Sequence, residues 1–422
     1  MDRKKIRYGV VGIKGIGERH CLYASQNTRA ELVAVVDIDS DFVGKKSAEL
    51  GIRGFTDYRD LLERGIVDAV SIATPHDRHS DIAQDCLNAG VHTYIEKPIS
   101  TNVSEAEKIV ALAKSRKLKI CVGHQYRLFD SSQIIKQVID KGDLGKIRRL
   151  LWTWGVFRPH SYYARWPWKG TFRQAGSGIL AYHALHDLDL ICWMIGKPVQ
   201  VTAFMGNQYH HAETEDFTCA SILFENGAFG SLQFSINHPS AYSVRQIAGD
   251  KGILVMPDVK SLTYEQAEEI LLATYQGKLS CMMTQFVGEF DEPGISWQIL
   301  KRSADTCIAQ HTTQVGESPW KRLLSHKNGW WSGRAIRKPN IQSDKPWVDP
   351  ICRLVNEFID AILEDRAPLV NGESTLPAIE LMNALLVSAT RKKTVDLPID
   401  QHEYDEVSAE LSKGKAQVPR FR

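Results

Sequence analysis

Residues 7–17 read RYGVVGIKGIG, and the fold turns on how this stretch is read. Residues 7–11 suit a strand, and Gly12-Ile13-Lys14-Gly15-Ile16-Gly17 follows it directly. A helix opening near Gly17 would aim its free amide groups at a phosphate. Twenty residues beyond Gly17, at the end of a second strand-like run (32–36), stands Asp37, where a dinucleotide-binding unit needs an acid for the ribose hydroxyls. This spacing implies a dinucleotide. Lys14 holds the middle glycine position of the usual fingerprint, so the loop taken alone is equally a plain strand-to-helix turn.

Working outward, strand runs recur at 69–73, 92–95 and 119–123. Between the last two, Ser104-x-x-Glu107 reads as a capping box opening a helix over 104–114, with Ala106, Ile109, Val110 and Ala113 on one face. Strands alternating with helices predict βαβ units and a parallel sheet. After residue 125 the pattern becomes a helix at 132–141 and strands at 147–154, 199–206, 217–224, 228–235 and 243–249, with a hairpin signal at Asn226-Gly227. The expected class is α/β: an N-terminal Rossmann domain (1–125), then an α+β domain (126–398) with a large, mainly antiparallel open sheet. That domain carries an insertion at about 276–346 and helices at 350–363 and 375–391, and a polar tail (399–422) reads as extended.

Apolar residues at 43% and charged residues at 24% are ordinary globular values and exclude a disordered chain. The net charge of +2 gives no reason to expect nucleic acid. The most apolar tract, 179–195, contains His183, His186, Asp187 and Asp189, so no membrane span is expected. Eight singly spread cysteines suggest free thiols in a reducing compartment, and the expected location is cytoplasmic. No Cys/His spacing suggests a metal site.

Thr74-Pro75 with His79 follows one strand, and Glu96-Lys97-Pro98 follows the next. Together with the glycine loop and Asp37 they resemble the glucose-fructose oxidoreductase / inositol dehydrogenase / rhizopine catabolism (Gfo/Idh/MocA) superfamily. The second-domain stretch GSGILAYHALHDLD (176–189) carries the same resemblance, with Tyr182 where the family commonly has an aspartate. The resemblance covers about 6–275 and 347–398 and leaves the insertion out.

The resemblance implies NAD, with NADP less favoured because Asp37 would repel a 2′-phosphate and Ile38 stands in place of an arginine. It implies cofactor contacts from Gly12, Ile13, Lys14, Gly15, Ile16, Gly17, Asp37, Thr74, Pro75, His79, Glu96, Lys97 and Gln125. Lys97 would meet the reacting oxygen and His186 would be the principal base, accompanied by Tyr182 and His183. A zinc site is the rival use of the two histidines. The run 152–169 is rich in aromatic and basic residues, and such faces suit sugar rings. Arg127, Arg158, Tyr163 and Trp168 are therefore candidate substrate contacts beside Lys97, His183 and His186. Arg127 reads equally well as a satisfied interdomain group.

The implied activity moves a hydride between the cofactor and a ring hydroxyl or keto carbon of a sugar, cyclitol or glycoside. Two alternatives stay open: a glycosidase working by transient oxidation and elimination, and an inactive sensor of sugar or NAD. A homo-oligomer, dimer or tetramer, is expected through the open face of the second sheet. The insertion reads either as a lid or as an oligomer-contact arm.

Overall fold

The computed structural model describes residues 5–237, 243–258, 270–275, 295–301, 309–311 and 349–420. The first strand, β1 (Ile6–Val11), is apolar along almost its whole length because helices cover both of its faces. It lies at the centre of a parallel sheet with β2 (Ala30–Val36), β3 (Arg53–Phe55), β4 (Ala69–Ile72), β5 (His92–Ile95) and β6 (Ile120–Val122), in the order β3-β2-β1-β4-β5-β6. Strand order reverses between β1 and β4, which opens a crevice at their carboxyl ends.

The second sheet contains β7 (Ile147–Gly155), β8 (Pro198–Gly206), β9 (Phe217–Phe224), β10 (Phe229–Ser235), β11 (Ser243–Gly249), β12 (Gly252–Asp258), β13 (Ile270–Tyr275), β14 (Ile295–Lys301), β15 (Ala309–His311) and β16 (Val395–Asp396). Its order is β15-β14-β13-β12-β11-β7-β10-β9-β8-β16, antiparallel throughout except for the parallel pair β7–β10. The alternation along β8 to β10 turns one face inward, where β8 packs on helix Gly372–Arg391 and that helix on Leu185–Ile195, and leaves the other open. On the open face Phe204 and Phe229 are 69% and 64% exposed.

Four expectations change. The insertion at 276–346 contains β14 and β15, so part of it extends the sheet; the tract 328–337 lies outside the described residues. The tail is not extended: Asp400 caps a helix Gln401–Ser412 that buries Tyr404, Val407 and Leu411. The cap of helix Val103–Arg116 is Asn102, whose side chain accepts from Ser104 N, in place of Ser104 itself. Helix Pro350–Leu363, expected with the second domain, packs on the first: Phe358 meets the rings of Tyr8 and Tyr94, and Tyr23 and Arg29 bond Asp349 and Asp360. Among the described residues no helix is long and apolar enough to cross a membrane.

Candidate active site

The crevice at the β1/β4 switch point widens into a cavity of about 990 Å³ that runs between the two domains. At its Rossmann end, Gly12 (φ +82°) allows the chain to turn, and a Cβ there would lie 2.8 Å from the Ala73 backbone. At Gly17 a Cβ would lie 1.9 Å from the Gly12 carbonyl, so helix Ile16–Gln26 can start close beneath the loop only with glycine. Asp37 is fixed by two amides, Ile13 N to Oδ2 and Asp39 N to Oδ1, both at 3.1 Å. The Lys14 ammonium swings onto Asp39 at 2.6 Å and away from the loop. Gly12, Lys14, Gly15, Ile16, Asp37, Thr74, Pro75, His79, Glu96, Lys97 and Gln125 all line the cavity. Ile13 is buried beneath it and Gly17 serves packing, so neither reaches the lining.

Glu96 and His79 set the floor. Tyr8 Oη, Ser71 Oγ, His20 and Glu96 form a buried chain with steps of 2.7, 3.0 and 2.9 Å. Burial opposes the Glu96 charge, but the His20 hydrogen bond and the nearby Lys97 outweigh it and hold its pKa below the ordinary value. The His79 ring lies between the carbonyls of Pro98 (2.7 Å) and Thr74 (2.9 Å) and ties the two loops together.

Lys97 is delivered by the end of β5. Its Nζ donates to the Tyr182 carbonyl and lies 3.4 Å from that of Ala181. Both carbonyls belong to Leu180–Ala184, a π-helical turn immediately before helix Leu185–Ile195. Such a widened turn frees carbonyls from the regular α-helical ladder, and here two of them point at Lys97. Burial lowers the Lys97 pKa to about 8, with Glu96 opposing the shift.

His183 and His186 both line the cavity. His186 stacks on Tyr126 at 4.2 Å and meets His124 edge-on at 5.5 Å. His186 Nδ1 and His183 Nε2 are buried without a hydrogen-bond partner among the described residues. Burial first, and Lys97 after it or among the later contributions, pushes both imidazoles well below their usual pKa, so they are neutral near pH 7. Tyr182 lies face to face with His76 at 5.7 Å, and Trp168 meets both rings edge-on.

Arg127 does not belong to this surface. It is buried and forms a two-pronged pair with Asp189 (2.7 and 2.6 Å), and it also bonds Ser374 Oγ and O (2.9 and 2.8 Å), tying helix Leu185–Ile195 to helix Gly372–Arg391. The substrate role expected for Arg127 therefore gives way to the interdomain one. Substituting Arg127 by methionine leaves Asp189 buried with only the His124 ring, 3.8 Å away and not hydrogen-bonded to it, and should cost about 3–5 kcal/mol of stability, read from denaturant unfolding. Tyr163 also misses the lining, packing on Gly170 and His210.

His76, Asp187 and Arg245, which the sequence did not single out, also line the cavity, as does Lys169, the last residue of the aromatic and basic run 152–169. Asp187 is locked by Trp152 Nε1 (2.7 Å), Trp154 Nε1 (3.0 Å) and Arg245 (3.3 Å). Its position directly after His186 was the available signal. Among the described residues no group of three His, Cys, Asp or Glu is arranged to hold a metal ion.

A Rossmann crevice continuing into an aromatic-walled compartment, with a lysine of lowered pKa and two neutral histidines at the junction, is the site of a nicotinamide-dependent oxidoreductase. Residues 6–124 match the oxidoreductase family with an NAD-binding Rossmann fold, and residues 132–255 match the GFO/IDH/MocA C-terminal domain. The chain belongs to the Gfo/Idh/MocA family.

A UDP-N-acetylglucosamine 3-dehydrogenase of Acidithiobacillus ferrooxidans is 35% identical over 233 residues, 54% of this chain and 67% of that one. A 2,7-anhydro-N-acetylneuraminate hydratase of Escherichia coli is 26% identical over 411 residues, 93% of this chain and 97% of that one. Among solved structures, the WlbA dehydrogenase of Bordetella pertussis, in complex with NADH and UDP-GlcNAcA, superposes with a TM-score of 0.70 at 23% identity, covering 94% of this chain and all of that one. That last likeness concerns the fold.

Proposed function

We propose that this protein moves a hydride between NAD and a ring carbon of a sugar-like substrate, with Lys97 as the proton-transferring group. The residues present fit the cofactor. Gly12, Gly15 and Gly17 keep the cradle open, Asp37 faces the ribose position, and the buried Thr74 Oγ1 and Gln125 Oε1 have no partner among the described residues. Bound NAD supplies the hydride acceptor or donor.

The observation that carries the assignment is Lys97. A base is most effective with a pKa near the working pH, and about 8 meets that condition, whereas the ionisation of His186 is strongly suppressed. The base role thus moves from His186 to Lys97, and neutral His186 with its unpartnered Nδ1 accepts and orients the reacting hydroxyl. The two carbonyls on Lys97 Nζ fix its direction. Trp154, Trp166, Trp168 and Tyr182 form walls for the faces of a sugar ring. Purified protein offered NAD and a panel of sugars, cyclitols and glycosides should form NADH with at least one of them. The product should be two hydrogens lighter.

A second reading has its own observation: the hydratase matches this chain almost end to end, including the tract the first-listed dehydrogenases do not reach. In that reading oxidation is transient, and water is added to or removed from a neighbouring carbon. His183 and Lys169 are available as further proton carriers. Conversion of 2,7-anhydro-N-acetylneuraminate without net NADH would select it.

The open face of β8 to β10, with Phe204 and Phe229 exposed, is assigned to a homo-oligomer contact in a cytoplasmic enzyme. Light scattering should give a multiple of the 47.5 kDa chain, and Phe204→Lys with Phe229→Lys should reduce it. A wild-type mass of one chain across concentrations would contradict this.

A further inference from the structure

Lys169 ends the short turn Pro167–Gly170, and its side chain is turned inward, leaving the residue only 8% exposed. Its Nζ lies 4.1 Å from the ring centre of Tyr182, 4.7 Å from that of Tyr162, 5.1 Å from that of Trp166 and 5.8 Å from that of Trp168. Aromatic faces stabilise an ammonium by about 0.5–2 kcal/mol each but do not accept its three N–H groups as an oxygen does. Among the described residues no hydrogen-bond acceptor or carboxylate reaches this Nζ. The side chain borders the cavity.

Arg158 stands on the same Tyr162 ring, 5.7 Å from its centre, and also borders the cavity. Its buried Nε has no partner among the described residues. Lys97 and Arg245 enter the same compartment. Of the carboxylates lining the cavity, Asp187 is bound to Trp152, Trp154 and Arg245, and Glu96 to His20. Among the described residues no carboxylate is paired with Lys169 or Arg158, an expensive condition for a buried cation.

Resting on the oxidoreductase reading above, we propose that Lys169 and Arg158 form an anion subsite that takes the carboxylate of the substrate, so that the substrate is an acidic sugar. The ammonium of Lys169 and the guanidinium of Arg158 both stand beside Tyr162 at the cavity, and both are donors of the kind that take a carboxylate. Burial, with Lys97 and Arg158 adding to it, lowers the Lys169 pKa to about 7, the state of an ammonium awaiting its counter-ion. The subsite also places the ring. With the carboxylate held at Lys169, the ring lies against Tyr182 and Trp168 on the way to Lys97.

The test is calorimetric binding to the NADH-loaded protein, using N-acetylneuraminate, its 2,7-anhydro form, D-glucuronate and D-galacturonate, each beside its methyl ester. At least one acid should bind roughly tenfold or more tighter than its ester. Lys169→Met should weaken the acid far more than the ester, erasing that difference, and leave NADH affinity as it was. Equal binding of acid and ester, or equal weakening of both in Lys169→Met, overturns the subsite. Tighter binding of glucose 6-phosphate than of any acid overturns the carboxylate.

If none of these sugars binds, the Lys169 titration followed by NMR with acetate decides: an upward shift of its midpoint supports the subsite, and no shift overturns it. Because NADH affinity is measured in the same samples, failure of the subsite is distinct from failure of the oxidoreductase reading. An ester turned over as fast as its acid removes the first and leaves the second. Absence of NADH binding strikes the second.

Discussion

Lys97→Met should lower turnover by roughly 10²- to 10⁴-fold and leave NADH affinity nearly unchanged. Lys97 Nζ is held by the carbonyls of Ala181 and Tyr182 at the domain junction, away from the glycine cradle, so its loss falls on the reacting oxygen. The pH profile supplies the sign. Lys97 has its pKa lowered to about 8 by burial, so its neutral, proton-accepting form is scarce below that pH and dominant above it. Turnover in the oxidation direction should rise through about pH 8 and level off, while the reduction direction should fall over the same interval. Lys97→Met should remove this limb. If the limb persists in the variant and disappears in His186→Ala, the base is His186. His186→Ala, which removes an orienting acceptor, should cost less than Lys97→Met.

NADH should bind roughly 10²-fold or more tighter than NADPH, because bringing a 2′-phosphate against a fixed carboxylate costs several kcal/mol. Asp37 cannot turn aside, since the amides of Ile13 and Asp39 each hold one of its oxygens. Of the cations nearby, Lys14 is paired with Asp39 and Lys46 with Glu49, and Arg59 lies beside Asp57 and Asp85. Ile38, 93% exposed, presents no charge. Asp37→Ser with Ile38→Arg should narrow or reverse the preference in a fluorescence titration. Tighter binding of NADPH by the unaltered protein would refute this account of Asp37.

What the sequence made legible was local. The glycine loop and Asp37 are tied by βαβ geometry, in which one strand and one helix fix the distance between them, so reading along the chain was enough. Lys97 and His186 were reached through a resemblance, since the carbonyls that hold Lys97 belong to the π-helical turn at Leu180–Ala184 just before His186, which no apolar periodicity announces. Arg127 stayed open between two readings because its partners, Asp189 and Ser374, are 62 and 247 residues away, and a lone arginine looks the same in a strut as in a pocket. Lys169 was legible only as the last basic residue of the run 152–169, because a lysine normally reaches solvent. The rings that enclose it, Tyr162, Trp166 and Trp168, were already visible within seven residues of it. The C-terminal helix had a readable signal as well: Asp400 as cap, then Tyr404, Val407 and Leu411 at helical spacing, obscured by the polar composition around them.

The central claim, hydride chemistry on a sugar-like ring carbon with Lys97 carrying the proton, is tested most directly by one measurement. Nicotinamide absorbance and product mass are recorded together while NAD-loaded wild type and Lys97→Met act on the acidic and neutral sugar panel. The account predicts that at least one sugar is converted, either with NADH formed and a product two hydrogens lighter, or with a product differing by one water and no net NADH. Either conversion should require NAD and nearly vanish in Lys97→Met. Conversion that proceeds equally well in cofactor-stripped protein or in the variant, or tight NADH binding with every sugar left unchanged, would contradict it.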